Sequence, residues 1–211
     1  MVEEVFLHTR NIGVFDIQGA RINTAGAYVP IDGLYPFIIG WRPNNGRVPV
    51  IRLGGHREEG ESGWECAKRE VHEEASLKIR PVRPRRTYLV DWDHGEAELK
   101  EMCWEGETDQ EPIPLLVVTY RREGRTSLSL MYLAQADELP APACEVKGLL
   151  LLDKDDVHRL CREALTLEQY LSGGGKAILN GEFDHKLILE PFIQLRLLSR
   201  ILLTQPSGFA I

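Results

Sequence analysis

Gly55-His56-Arg57-Glu58-Glu59-Gly60-Glu61-Ser62-Gly63-Trp64-Glu65-Cys66-Ala67-Lys68-Arg69-Glu70-Val71-His72-Glu73-Glu74-Ala75-Ser76-Leu77 is the most informative stretch of this chain. Gly54 and Gly55 break an apolar run, a charged loop follows, and residues 64–77 predict a helix. Ser62 with Glu65 three residues on has capping-box spacing. At about 100° per residue from Arg69, Glu73 falls near about 40°, Glu70 near about 100° and Glu74 near about 140°. Three carboxylates thus share one arc. Trp64, Val71, Ala75 and the stem of Lys68 fall on the opposite side, a stripe suited to packing on a sheet. Glu70 and Glu74 form an i,i+4 like-charge pair, unfavourable by roughly a few tenths of a kcal/mol in an exposed helix. A hard divalent cation reverses that sign, because Mg²⁺ and Mn²⁺ take oxygen ligands. The plainer reading of the same arc is a solvated acidic face.

Working outward, residues 37–41 and 48–53 predict strands separated by the turn-forming run 42–47. Residues 88–92 are strand-like, and an acidic stretch, 93–111, is long for a connector and suggests a lid between Trp92 and Trp104. Residues 115–120 and 127–134 flank a Gly-containing loop as a β-hairpin, and 148–152 is a further strand. Asp155 and Asp156 open a helix expected to run to about Leu171, where Gly173-Gly174-Gly175 stops it. A last amphipathic helix is expected over about residues 185–203, capped by Asp184. Residues 1–36 read as an amino-terminal lead-in with short strands, and 37–211 as the main domain including the carboxy-terminal helices. Strands around a central helix, with further helices late, indicate the α/β class.

Composition narrows the function. The chain has 211 residues, 43% hydrophobic, enough for one well-buried domain. Its 25 Lys+Arg against 32 Asp+Glu leave a net charge of −7, which repels phosphate backbones and argues against nucleic-acid or anionic-membrane partners. The longest aliphatic run, Leu149-Leu150-Leu151-Leu152, is far too short to cross a bilayer. The start Met1-Val2-Glu3-Glu4 has no basic, apolar signal pattern. Cys66, Cys103, Cys144 and Cys161 form no C-x-x-C pair. A reduced, cytoplasmic protein is expected.

Gly55, Glu61, Arg69, Glu70, Val71, Glu73, Glu74 and Leu77 stand at the spacings G-x5-E-x7-R-E-U-x-E-E-x-G-U, with U aliphatic; only the second glycine departs, being Ser76. The stretch resembles the Nudix box of the Nudix hydrolases. That resemblance implies the Nudix fold, an α/β/α sandwich with a central mixed β-sheet. It also implies divalent-metal-dependent hydrolysis of a pyrophosphate bond in a nucleoside diphosphate linked to another moiety. By the same resemblance Glu70, Glu73 and Glu74 match the metal ligands for Mg²⁺ or Mn²⁺, and the Gly54 carbonyl matches a backbone ligand. Arg69 and Glu61 match an ion pair that braces loop against helix, in keeping with the placement of Arg69 off the carboxylate arc. Many members use a further carboxylate before a late strand, and Glu138 and Glu145 are the candidates, Glu145 the better placed. Whether Glu70, Glu74 or Glu145 acts as the base is left open. Ser76 replaces a glycine where a left-handed residue is favoured and removes no catalytic group.

The partner implied is a small-molecule nucleotide, with ADP-ribose or a nucleotide sugar favoured by the chain's length beyond the minimal domain; a homodimer stays open. The alternative is a non-catalytic ligand-binding or regulatory Nudix domain, against which the intact Glu70, Glu73 and Glu74 speak. Arg80, Arg83, Arg85 and Arg86 read as a charged, solvated edge before a phosphate site. Tyr88, Trp92 and Trp104 read as packing residues before base-stacking ones, and His56, His72 and Cys66 receive no catalytic role.

Overall fold

A computed structural model describes residues 20–40, 43–92, 98–104, 111–122, 125–204 and 209. In chain order its elements are β1 (Arg21–Tyr28), β2 (Tyr35–Ile39), β3 (Arg47–Val50), β4 (Leu53–His56), α1 (Gly63–Ala75), β5 (Arg80–Pro81), β6 (Thr87–Asp91), β7 (Lys100–Met102), β8 (Leu116–Arg122), β9 (Arg125–Gln135), β10 (Gly148–Leu152), α2 (Lys154–Arg162), α3 (Leu167–Ser172), β11 (Lys176–Leu179), β12 (Ile188–Pro191) and α4 (Ile193–Thr204). The chain divides into two compact units, the first taking residues up to 27, 54–70 and 81–134, the second 28–53, 71–80 and 135–211.

The first unit is built on a seven-stranded sheet of order β4-β1-β9-β8-β6-β7, with β5 also on β9. The sheet is mixed: β6 runs parallel to β8, whereas β8 and β9, like β6 and β7, are antiparallel. The expected hairpin is present, with Val117 opposite Leu130 and Arg122 opposite Arg125. Leu116, Val117 and Val118 are buried in succession, so β8 is covered on both faces, which explains its unbroken apolar run. β1 lies in the segment expected to be a lead-in with short strands; it is an eight-residue strand between β4 and β9. Gly54 and Gly55 do not break a strand as expected but lie within β4, where Gly54 takes φ 137°, a conformation L side chains rarely adopt.

The second unit holds a three-stranded sheet, β11-β10-β2, and a parallel pair, β12-β3. The helix expected over 155–171 is two helices. Asp153 caps the first by accepting from the Asp156 amide at 2.8 Å, and the chain leaves it at Glu163. Thr166 then starts α3 with a complete capping box to Gln169, and the Leu189 amide donates to the Leu165 carbonyl at 2.8 Å between the two. The helix expected over 185–203 begins as a strand: Ile188 and Leu189 pair with Arg47 and Val48 of β3, and α4 starts only after Pro191. Proline lacks an amide donor, so it stands at such a boundary and not inside a helix. Leu195, Leu198, Ile201 and Leu202 of α4 are core residues. Among the described residues no helix is long and apolar enough to cross a membrane.

Candidate active site

The start of α1 follows local rules. Ser62 Oγ accepts from the Glu65 amide at 3.1 Å and Glu65 Oε2 accepts from the Ser62 amide at 2.8 Å, completing the expected capping box. At its other end Ser76 takes φ 56° and its amide donates to the His72 carbonyl at 2.9 Å. A residue with a Cβ held there costs about 1 kcal/mol. Trp64, Val71 and Ala75 are buried as the stripe required, but Lys68 is exposed and Ala67 completes the stripe instead. Cys66 is also buried, its Sγ 3.8 Å from the Gly55 carbonyl oxygen, and burial pushes its thiol up to about 11. A thiol so protonated is a poor nucleophile.

The charged loop is held at both ends. Arg57 donates from its amide to the Asn23 carbonyl at 2.9 Å and from Nε to the Ile22 carbonyl at 3.0 Å, which ties the loop to β1. Arg69 reaches back from α1 as a two-pronged donor to Glu61, Nε to Oε1 at 2.7 Å and Nη2 to Oε2 at 3.1 Å. Its Nη2 also donates to the His56 carbonyl at 2.9 Å, and the Glu58 amide donates to Glu61 Oε2 at 2.8 Å. The Arg69 hydrogen bond holds the Glu61 carboxyl below the usual carboxylate range, and Glu61 in turn raises the guanidinium.

Arg69 was expected to lie off the carboxylate arc. Its Nη1 nonetheless donates to Glu70 Oε1 at 2.8 Å, because the guanidinium has five donors and, with Nε and Nη2 on Glu61, still has Nη1 for a second carboxylate. Glu70 is partly buried, its side chain 15% exposed. A Cβ placed on Gly55 would stand 2.5 Å from the Glu70 carboxyl carbon and both its oxygens. Residue 55 must therefore be glycine for that carboxylate to rest on β4.

Glu73 is exposed and Glu74 half-buried in the last turn of the same unbroken helix. The Glu74 carbonyl accepts from the Ala143 amide at 3.2 Å and the Ala75 carbonyl from the Ala141 amide at 2.9 Å. The loop carrying Glu138 and Glu145 thus meets the helix end through backbone bonds. Both glutamates are exposed, Glu145 in the turn closed by the Val146 amide on the Ala143 carbonyl at 3.0 Å. Among the described residues no three His, Cys, Asp or Glu side chains converge closely enough to hold an ion. The carboxylates of Glu70, Glu73 and Glu74 nevertheless suit a hard oxygen-seeking cation in kind. Glu70 would have to share its oxygens between Arg69 and such an ion.

Glu111 was not singled out by sequence reasoning. It closes the acidic stretch, yet it is 5% exposed. Its Oε2 accepts from the Gly63 amide at 2.9 Å and the Trp64 amide at 3.4 Å, and its Oε1 accepts from the Tyr132 hydroxyl. Burial raises both the Glu111 carboxyl and the Tyr132 phenol. No local pattern marks it, since its partners lie 21 and 48 residues away. Within the suggested lid, β7 pairs with β6, while residues 93–97 and 105–110 lie outside the described residues. Of the arginine cluster, Arg80 pairs with Asp137 and Arg86 with Glu101, both exposed as a solvated edge should be.

No family model matches the chain, and no curated protein does. Among solved structures it is similar to a NUDIX hydrolase from Nitrosomonas europaea at 14% identity and TM-score 0.41, over 66% of this chain and 60% of that one. It is similar to an Ap4A hydrolase from C. elegans, in a binary complex, at 14% identity and TM-score 0.41, over 65% and 84%. A MutT NUDIX hydrolase from Burkholderia pseudomallei matches at 20% identity and TM-score 0.39, over 72% and 95%. The chain thus spans less than two thirds of the first of these. Identity and overlap this low assign no activity to the chain.

Proposed function

We propose that the chain is a divalent-metal-dependent hydrolase of a pyrophosphate bond in a nucleoside diphosphate linked to another moiety, with ADP-ribose and nucleotide sugars as the first substrates to try. The observation that carries this reading is the loop–helix joint, where one guanidinium holds Glu61, Glu70 and the His56 carbonyl while Glu70 rests on Gly55. Carboxylates grouped on one helix face supply the oxygen ligands that a cation-dependent phosphate site uses. Their spacing is also that of the Nudix box. Mg²⁺ or Mn²⁺, when bound, supplies charge neutralisation at the phosphoryl oxygens and acidifies water.

The protein's own groups have separable tasks. Glu70, Glu73 and Glu74, with the Gly54 carbonyl, are the oxygen donors. Arg69 and Glu61 brace the joint that sets where Glu70 stands. Glu74 or Glu145 takes the proton of the attacking water, a role worth about 10²–10⁴-fold in rate. Attack comes from water, without a covalent intermediate, and Cys66, buried with its thiol pushed up to about 11, is a poor competitor. The products are a nucleoside monophosphate and a second phosphorylated species.

A panel of pyrophosphate compounds run with Mg²⁺ and Mn²⁺, and again in EDTA, tests the reading. Turnover that stops in EDTA and is lost in Glu70→Gln is expected. In ¹⁸O-labelled water, one product phosphate should carry label after a single turnover with enzyme in excess. Label missing from that turnover would place the oxygen on the protein and sink the water mechanism. Ligand binding without turnover across the panel would point to a regulatory domain instead.

A further inference from the structure

Resting on that reading, we propose that Glu111, held by Tyr132, is a positioning residue that seats the first turn of α1 on β9 and so keeps the Glu61–Arg69–Glu70 joint in register. It touches no reacting group.

The Ser62–Glu65 box satisfies the Ser62 and Glu65 amides, and Glu111 takes the Gly63 and Trp64 amides that the box leaves over. What Glu111 adds is a tether between distant segments. Its buried carboxylate accepts two amides of the first turn, the Tyr132 hydroxyl from β9 and a hydrogen bond from the Ser62 side chain. Withdrawing a carboxylate from water is unfavourable unless such donors replace the solvent, and here they come from two different elements. The seat is tight. A Cβ on Gly63 would lie 2.5 Å from the Tyr132 hydroxyl, 2.9 Å from Leu130 Cδ1 and 3.0 Å from Glu111 Oε1. The next residue, Trp64, packs edge-on against the Tyr132 ring with centroids 5.2 Å apart at 73°. Glu61 precedes this seat by two residues and carries both oxygens that Arg69 grips. A two-pronged ion pair tolerates little displacement, so a shift in the helix start loosens it.

The test compares Glu111→Gln with wild type by three readouts. Hydrogen exchange at the Arg69 Nε–H, followed by NMR without substrate or metal, reports the joint directly. Mn²⁺ titration reports the ion site per folded molecule, and kcat and KM on the best panel substrate report the reaction. In folded Glu111→Gln the Arg69 Nε–H should exchange about 10-fold faster and kcat should fall about 10-fold with KM within about 2-fold, as misplacement of a group outside the chemistry predicts. Mn²⁺ should bind more weakly by about 3-fold or more, since an ion site depends on supports outside its ligands. Wild-type Arg69 protection in the folded variant overturns the proposal, whether kcat falls or not. If Glu111→Gln does not fold, Tyr132→Phe keeps the ring and the carboxylate; faster Arg69 exchange is then expected, and unchanged exchange overturns the proposal. A wild-type protein that turns over nothing in the panel would end the hydrolase reading, while Arg69 exchange would still decide the seat.

Discussion

Glu61 lies just before the start of α1 and Glu111 binds its first turn, and the two are stabilised in opposite ways. Glu61 keeps its charge beside a cation, gripped by Arg69 in a partly solvated loop. Glu111 is buried and accepts from neutral donors, the Gly63 and Trp64 amides and the Tyr132 phenol. Their carboxyls accordingly move apart: Arg69 lowers Glu61, whereas burial raises Glu111. For Glu61, a folded pKa below the unfolded one means stability present above the unfolded value and lost as pH falls through the folded value. For Glu111 the folded state binds the proton more tightly, so ionisation costs stability as pH rises through its raised value. One carboxylate makes the helix start sensitive to acid, while the other relieves strain there on acidification. A charge can therefore serve a joint through a partner or a seat through geometry, and the two respond differently to the same perturbation.

The strongest way to break this contrast is Arg69→Ala, which leaves Glu61 and Glu70 facing each other without their shared cation. Activity should fall about 10²-fold or more, by the misplacement of Glu70 and its neighbours. Unfolding free energy should fall by only about 1.5–3 kcal/mol, the range for hydrogen bonds to charged groups. Turnover left near wild type in that variant would show that the joint braces nothing.

Next comes Gly63→Ala, aimed at the seat alone. Its Cβ would meet the Tyr132 hydroxyl at 2.5 Å, so a loss of about 1–3 kcal/mol is expected from overpacking. A urea midpoint equal to wild type would mean that α1 does not start flush against the Glu111–Tyr132 pair. Gly55→Ala, which strikes Glu70 instead, should lower activity more than it lowers that midpoint.

A pH series sharpens the comparison. The stability advantage of wild type over Glu61→Gln should shrink on acidification below about pH 5, where carboxylate linkage is lost. Measured against Glu111→Gln, wild type should gain on the same acidification. Parallel curves for the two variants would erase the distinction between ion pair and buried seat.

The smallest effect is Ser76→Gly, at the other end of α1, which should stabilise by about 1 kcal/mol through release of a left-handed Cβ. That gain should add to the losses of Arg69→Ala and Gly63→Ala to within about 0.5 kcal/mol, because the sites share no partners. Clear non-additivity would show that neither carboxylate acts locally.

The amino-acid sequence by itself determined whatever follows from spacing along one element. The capping box of Ser62 and Glu65, the grouping of Glu70, Glu73 and Glu74 on one helix and the hairpin of β8 and β9 all depend on fixed short separations. Helix and hairpin geometry convert such separations into contacts without help from the rest of the chain. Tertiary structure decided what spacing leaves free. Ile188 and Leu189 carry apolar side chains that suit a helix face or a strand equally, and pairing with β3 chose the strand. Glu111 looks like any acidic residue of a connector, and Gly63 like any loop glycine. Only when β9 brings Tyr132 against the helix start do a carboxylate 48 residues away and a missing Cβ become parts of one seat, because desolvation and close approach are properties of where the chain meets itself.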